Sequence, residues 1–350
     1  MRSESEDTLL YLCEQEVRKV CTDINSVEIM REAFRLHATG ATLLPDEAYL
    51  GWENSEGEKV RSLNMPAYLG GTFQIAGTKI INGNIANPRR ALPRANGLTI
   101  LYDDISVRPC CILEGAYLSS LRTASVTALA TDLLLGQDVE DVALIGAGVL
   151  AQAHIELLLK YFPRIRTIRM FDLDQERITR LQSMLSRTLQ QHSVAFLPTK
   201  TAEDAIRPAR LIVPVTTTTT GYIHYSWLRP GALLVNVSLD DALPSVVFQA
   251  DSIVVDDWSL VRNDSRRLIG RMYREGKILG PGEPGDVVQG DRRRIDAELG
   301  EIVVGKKVGR ISPEDIILFN PFGLAIEDIA LASQVYRLAQ KDGLGMHLPR

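Results

Sequence analysis

Asp141-Val142-Ala143-Leu144-Ile145-Gly146-Ala147-Gly148-Val149-Leu150-Ala151 runs from five residues of strand character straight into a GxGxxA turn. An amphipathic stretch, Ala151 to Tyr161, follows at once. Each small residue has a separate task. Gly146 permits the tight turn, Gly148 lets backbone approach a pyrophosphate, and Ala151 allows close helix–strand packing. A diphosphate would then rest on the free N–H groups at the helix start. A plain tight turn is the bland alternative, and the strand-before, helix-after context decides against it. Gly146, Ala147, Gly148, Val149 and Leu150 are therefore the expected cofactor turn.

Outward from this turn the chain keeps a βα rhythm. Ile168 to Phe171 is largely apolar, and Asp174 to Gln191 is charged and helical. Val194–Leu197, Leu211–Val215, Leu233–Val237 and Ile253–Val255 read as further strands. Alternation of this kind predicts a parallel sheet of the Rossmann type, an α/β fold. Asp172 lies 24 residues after Gly148, near the roughly 20 expected for a ribose-binding carboxylate. It favours NAD over NADP by repelling a 2′-phosphate. A helix N-cap is the structural alternative, and Asp174 is the better placed for it. Thr216, Val237 and Ser238 follow the fourth and fifth strands and should face the nicotinamide half of the cofactor.

The first 120 or so residues behave differently. One helical stretch, Ser26 to His37, precedes polar, glycine-rich segments. Thr78–Ile81 and Leu98–Tyr102 look like strands within a mixed α+β unit. A long helix, about Ser119 to Leu135, leads into the parallel sheet, and Ile316 to Gln340 reads as a short strand and a helix.

Composition narrows the function. The 350 residues are 45% hydrophobic and carry a net charge of −5. That acidity argues against a nucleic-acid partner, and Arg292-Arg293-Arg294 is too short to overturn it. No apolar run reaches the ~20 residues of a membrane span. The polar N-terminus, residues 1–7, does not read as an export signal. Cys13, Cys21, Cys110 and Cys111 form no CxxC pair and suit a reducing cytoplasm. The histidines are scattered, so no metal site is expected.

Several charges sit in apolar or small-residue surroundings. Arg61, Lys79 and Arg122 could each bind a carboxylate, Arg as a bidentate fork and Lys as a point charge. A surface charge or a structural ion pair is the alternative for each. Asp240-Asp241 follows the fifth strand, where a carboxylate could move a proton, activate water or hold a cationic amine. A turn-forming Asp before Pro244 is the alternative. Arg94 reaches a ligand or lies on the surface, and Trp258 and Tyr273 line a cleft or pack the core.

In order, the chain shows Arg61, Met65-Pro66, Gly77-Thr78-Lys79-Ile80-Ile81-Asn82, Leu121-Arg122-Thr123-Ala124, the GxGxxA, and Asn320-Pro321-Phe322-Gly323-Leu324-Ala325-Ile326-Glu327-Asp328. This ordered set resembles the ornithine cyclodeaminase/mu-crystallin family over nearly the whole chain. The resemblance implies a Rossmann domain, 126–319, and a split α+β substrate-binding and dimerisation domain, 1–125 with 320–350. It implies an NAD(P)-dependent enzyme acting at a C–N bond of an amino acid, as a homodimer. By resemblance, Arg61, Lys79 and Arg122 bind substrate carboxylates, with Asp240 beside them. Lys79 shares in catalysis, Arg122-Thr123 also meet the cofactor, and Asp241 is the catalytic acid–base group.

One departure narrows the branch. Ornithine cyclodeaminases carry a glycine pair before the catalytic Asp and a Lys four positions after it. Here the segment is Val237-Ser238-Leu239-Asp240-Asp241-Ala242-Leu243-Pro244-Ser245, with Ser245 at the Lys position. Together with Asp256-Asp257-Trp258 and Gly270-Arg271-Met272-Tyr273, it is similar to the N-(2-amino-2-carboxyethyl)-L-glutamate dehydrogenase branch. That branch makes 2,3-diaminopropionate for siderophores and peptide antibiotics. The resemblance then implies a substrate with several carboxylates. An amino-acid cyclodeaminase, a ketimine reductase or alanine dehydrogenase, and a non-catalytic nicotinamide- or hormone-binding protein are the rival readings.

Overall fold

A computed structural model describes residues 8–349; the acidic run 1–7, read above as no export signal, lies outside them. The chain divides into two compact units. One runs up to Arg122 and resumes at Leu324, and the other is Thr123–Gly323. The expected bounds of 125/126 and 319/320 differ from these by a few residues. Asn320 ends the strand Ile317–Asn320, which pairs in parallel with both Leu233–Val235 and Ser252–Val255. Residues 320–323 therefore go with the parallel sheet and not with the split unit, which corrects the expected boundary. The long helix Gly115–Leu134 carries the chain across the other boundary.

The split unit is built on an eight-stranded sheet. Its strand order is Met346–Pro349, Thr8–Leu12, Pro109–Glu114, Ala95–Tyr102, Ile75–Asn84, Lys59–Leu69 and Thr42–Leu43, with Ala48–Glu53 also on Lys59–Leu69. Alternation drives it. Leu63, Met65, Ala67 and Leu69 are buried while the residues between them are half-exposed, the period-2 pattern of a sheet covered on one face. The helix Ala325–Lys341, whose Ile329 reaches Gly77 of the sheet, supplies the cover, and Ser26–Ala38 packs against that helix.

The second unit holds an eight-stranded parallel sheet. Its order is Ala195–Pro198, Thr167–Phe171, Asp141–Ile145, Leu211–Pro214, Leu233–Val235, Ile317–Asn320, Ser252–Val255 and Ala297–Glu298. The inner strands are apolar along their length because helices cover both faces; Leu211, Ile212, Val213 and Leu233, Leu234, Val235 are all fully buried. The order reverses between Asp141–Ile145 and Leu211–Pro214, which makes the carboxyl ends of these two strands the natural ligand crevice. Among the described residues, no helix is long and apolar enough to cross a membrane.

Candidate functional site

In the parallel-sheet unit, Gly146 leaves its strand at φ +101°, and a Cβ there would lie 3.0 Å from the Val215 carbonyl. Only glycine fits this turn without strain. Gly148 differs: its backbone is extended at φ −98°, and a Cβ would meet nothing within 4 Å. The space is open in front of the helix Val149–Tyr161, which has no side-chain cap and no acidic residue in its first turn. Uncapped N–H groups facing open space are what a diphosphate needs. The residues present fit a dinucleotide.

Asp172 stands at the end of the second strand. Its Oδ2 accepts the Ala147 N–H at 2.7 Å and its Oδ1 the Asp174 N–H at 2.8 Å. The carboxylate thus braces the glycine turn. Asp174 caps the helix Gln175–Gln191, accepting from the Glu176 N–H at 3.0 Å.

Thr216 and Ser238 join the ends of the fourth and fifth strands. The Thr216 N–H donates to Ser238 Oγ at 2.8 Å, and Ser238 Oγ donates to the Pro214 carbonyl at 2.9 Å. Val237 is half-buried between them, its N–H on the Val235 carbonyl at 2.9 Å. Thr216 Oγ1 also donates to Asp241 Oδ1 at 2.7 Å, and Tyr222 OH donates to the same oxygen at 2.9 Å. Asp241 is fully buried, and its Oδ2 has no hydrogen-bond partner among the described residues. Burial pushes the Asp241 carboxyl above the ordinary range, the hydroxyls of Thr216 and Tyr222 pull it back, and the charge of Asp240 adds to the rise.

Asp240 faces other partners. Its Oδ1 meets Arg271 at 3.0 Å and its Oδ2 meets Arg267 at 3.1 Å. Both oxygens are taken up, which separates it from its neighbour. Substrate binding, expected of Asp240 from sequence, would have to displace a guanidinium. The preceding Leu239 holds φ +75°, a left-handed conformation that costs a leucine about 1–2 kcal/mol. The glycine pair of the cyclodeaminase pattern is thus absent while a glycine-type backbone remains. Trp258 and Tyr273 meet edge-on at 5.1 Å in the apolar core of this unit.

The split unit gathers its own cluster. Lys79 is 2% exposed; its Nζ lies 2.9 Å from Asp328 Oδ1 and donates to Ser119 Oγ at 2.8 Å. Arg122 pairs with Glu327 at 2.8 Å and with Asp328 at 3.3 Å. Both carboxylates lie in the first turn of Ala325–Lys341, where the helix dipole favours negative charge. Burial and the like charge of Arg122 bring Lys79 down to about 8, against the pull of Asp328 and Glu327. Lys79 and Arg122 thus come together, with two carboxylates that sequence reading quoted but gave no role.

Arg61 does not join them. The cross-strand partner of Lys79 is Met65, and that of Arg61 is Gly83, about 13 Å further along the sheet. Arg61 instead borders a cavity of about 190 Å³ with Trp52, Asn82, Asn84 and Asn96. Arg94 is exposed. Thr123 is half-buried on the long helix. Tyr222 escaped the sequence reading because the run Thr216–Thr220 before it reads as a polar loop. Among the described residues, no cluster of three or more His, Cys, Asp or Glu could hold a metal.

A model of the ornithine cyclodeaminase/mu-crystallin family matches residues 7–343. An N-((2S)-2-amino-2-carboxyethyl)-L-glutamate dehydrogenase of Staphylococcus aureus is 31% identical over 97% of this chain and 98% of its own. An alanine dehydrogenase of Archaeoglobus fulgidus is 27% identical over 96% of this chain and 97% of its own. Among solved structures, CmnK superposes with a TM-score of 0.87 at 34% identity, covering 98% of each chain. An archaeal alanine dehydrogenase dimer with bound NAD has a TM-score of 0.82 at 25% identity, covering 97% of this chain and 99% of that one.

Proposed function

Because this chain belongs to the ornithine cyclodeaminase/mu-crystallin family, we propose that it is an NAD-dependent dehydrogenase of N-(2-amino-2-carboxyethyl)-L-glutamate. The reaction consumes this secondary amine, water and NAD⁺. It yields L-2,3-diaminopropionate, 2-oxoglutarate, NADH and a proton. Its product suits siderophore or peptide-antibiotic assembly. The observation that carries the reading is Asp241. A buried carboxylate with one oxygen that has no partner among the described residues, at the carboxyl edge of a dinucleotide sheet, is built to move a proton. Likeness to the staphylococcal dehydrogenase supports the substrate, and Ser245 in place of a lysine speaks against ornithine cyclisation.

Gly146, Gly148 and the first turn at Val149-Leu150 hold the diphosphate, and Asp172 meets the adenosine ribose and excludes a 2′-phosphate. Bound there, NAD supplies a hydride acceptor for the glutamate Cα–H. Asp241 takes the proton from the bridging nitrogen as the C–N bond becomes an imine. It then orients the water that adds to the imine carbon. In the split unit, Lys79 and Arg122 hold a substrate carboxylate. Lys79 has three N–H donors, of which Asp328 and Ser119 engage two. Arg61 takes a second carboxylate. Such fixed charges orient a polyanionic substrate without reorganisation during the reaction. A homodimer accompanies this reading. On one face of the edge strand Ala48–Glu53, Leu50 and Trp52 are about half exposed, apolar surface of the kind that marks protein contacts.

The test is to supply NAD and this amine to the native protein and to Asp241→Asn. Native turnover with NADH and 2-oxoglutarate in equal amounts is expected, with a loss of ~10²–10⁴-fold in the variant. No turnover by the native protein, or full activity in Asp241→Asn, contradicts the reading.

A further inference from the structure

Two hydroxyls crowd one oxygen of Asp241 and leave the other alone. Thr216 Oγ1 and Tyr222 OH both donate to Oδ1, at 2.7 and 2.9 Å, while the buried Oδ2 has no partner among the described residues. Tyr222 also holds the main chain at this point. Its N–H and that of Ile223 donate to the Asp241 carbonyl at 2.8 and 2.9 Å. Residues 19 apart in sequence are thus tied by side chain and backbone together. The turn cannot drift the other way, because both oxygens of Asp240 are pinned by Arg267 and Arg271.

We propose that Tyr222 is a positioning residue: with Thr216 it saturates Oδ1 and so reserves Oδ2 as the single atom at which Asp241 gains and loses its proton. An oxygen already accepting two short hydrogen bonds is the poorer proton site, since protonation there breaks at least one of them. The proton therefore resides on Oδ2, and the substrate nitrogen or water must approach that atom. The two hydroxyls also favour the charged form against the burial that opposes it. The charged and titratable groups around the carboxyl are Asp240, its partners Arg267 and Arg271, and Tyr222 itself, whose phenol burial holds well above its ordinary range. Tyr222 therefore stays a donor throughout the working pH range. This inference rests on the reading of Asp241 as the acid–base group.

The test follows the Asp241 carboxyl directly, by ¹³C NMR titration of aspartate-labelled native protein, with Asp241→Asn to assign the signal. Tyr222→Phe keeps the ring and removes one donor, so the midpoint should move up by roughly one pH unit or more. The acid limb of kcat/KM should move with it, and kcat should fall while the KM for NAD holds. Thr216→Val should repeat the shift, and Thr216→Ser, which keeps a hydroxyl, should restore the native midpoint. This second pair covers the case in which Tyr222→Phe does not fold. An unchanged midpoint in Tyr222→Phe or Thr216→Val overturns the proposal. A shifted midpoint with an unmoved acid limb supports the positioning of the proton and overturns Asp241 as the reacting group.

Discussion

Lys79 Nζ stands 2.9 Å from Asp328 Oδ1, and both side chains are almost wholly removed from water. Arg122 and Glu327 complete a cluster of two cations and two carboxylates. Removing one carboxylate strands a buried positive charge, which typically costs 3–5 kcal/mol. Asp328→Asn should therefore lower the urea midpoint by an amount equivalent to about 3 kcal/mol or more. Lys79→Met with Asp328→Leu should cost less than the two single changes added together. Strict additivity in urea denaturation would show that the pair is not coupled.

The two glycines of the cofactor turn should fail in opposite ways. Gly148→Val places its side chain in open space on an extended backbone. The protein should melt at the native temperature, and NADH should bind at least ~10-fold more weakly, since the branched side chain fills the diphosphate cradle. Gly146→Ala forces a Cβ against the Val215 carbonyl at positive φ and should cost stability, by about 1–2 kcal/mol or more. Fluorescence titration with NADH beside a thermal melt checks both. Undiminished NADH binding by Gly148→Val would contradict the assignment of the turn.

Asp172 has two duties, and a single substitution should expose both. Its bond to the Ala147 N–H braces the turn, and in the proposed reading its charge repels a 2′-phosphate. Asp172→Ser should weaken NADH binding and, at the same time, narrow the preference for NADH over NADPH. Dissociation constants for both cofactors measure this. A preference that stays at the native value would remove Asp172 from cofactor selection.

His154 sets an acid limit. It is fully buried, with Nε2 2.9 Å from Thr127 Oγ1 and Nδ1 2.7 Å from the Leu150 carbonyl. Burial lowers it to about 4 from 6.5. Between these values the unfolded chain binds the proton and the folded one does not. Stability therefore falls as pH drops from 6.5 to 4, by about 3 kcal/mol in all. Asp256 works the other way. Burial raises it to about 6 despite N–H bonds from Asp257 and Gly323. Its contribution is present below the ordinary aspartate range and lost as pH rises through 6. The two offset each other in the native protein. His154→Gln lacks the first and keeps the second. Its deficit relative to native protein at pH 7 should shrink by about 3 kcal/mol at pH 4, read by chemical denaturation. A deficit independent of pH would show that His154 does not titrate as described.

The parallel sheet was the most legible part of the sequence. Buried strands such as Asp141–Ile145 and Leu211–Pro214 are short apolar runs, and a glycine turn punctuates the first. Lys59–Leu69 was less legible, because its half-exposed face carries Ser62, Asn64 and Pro66, and the charged Arg61 begins the other face, which breaks up the apolar signal. Individual site residues could be named from sequence, but not their company. Nothing local says that Lys79 and Arg122 meet Glu327 and Asp328, more than 200 residues later. Nor does adjacency in sequence separate Asp240 from Asp241. That distinction comes from Arg267 and Arg271 on one side and from Thr216 and Tyr222 on the other.

The most direct measurement uses N-(2-amino-2-carboxyethyl)-L-glutamate deuterated at the glutamate Cα, with NAD and with ornithine in a parallel reaction. The account predicts deuterium in the NADH formed, one 2-oxoglutarate per NADH, and no proline from ornithine. Proline and ammonia from ornithine without net NADH, or NADH free of deuterium, would contradict it.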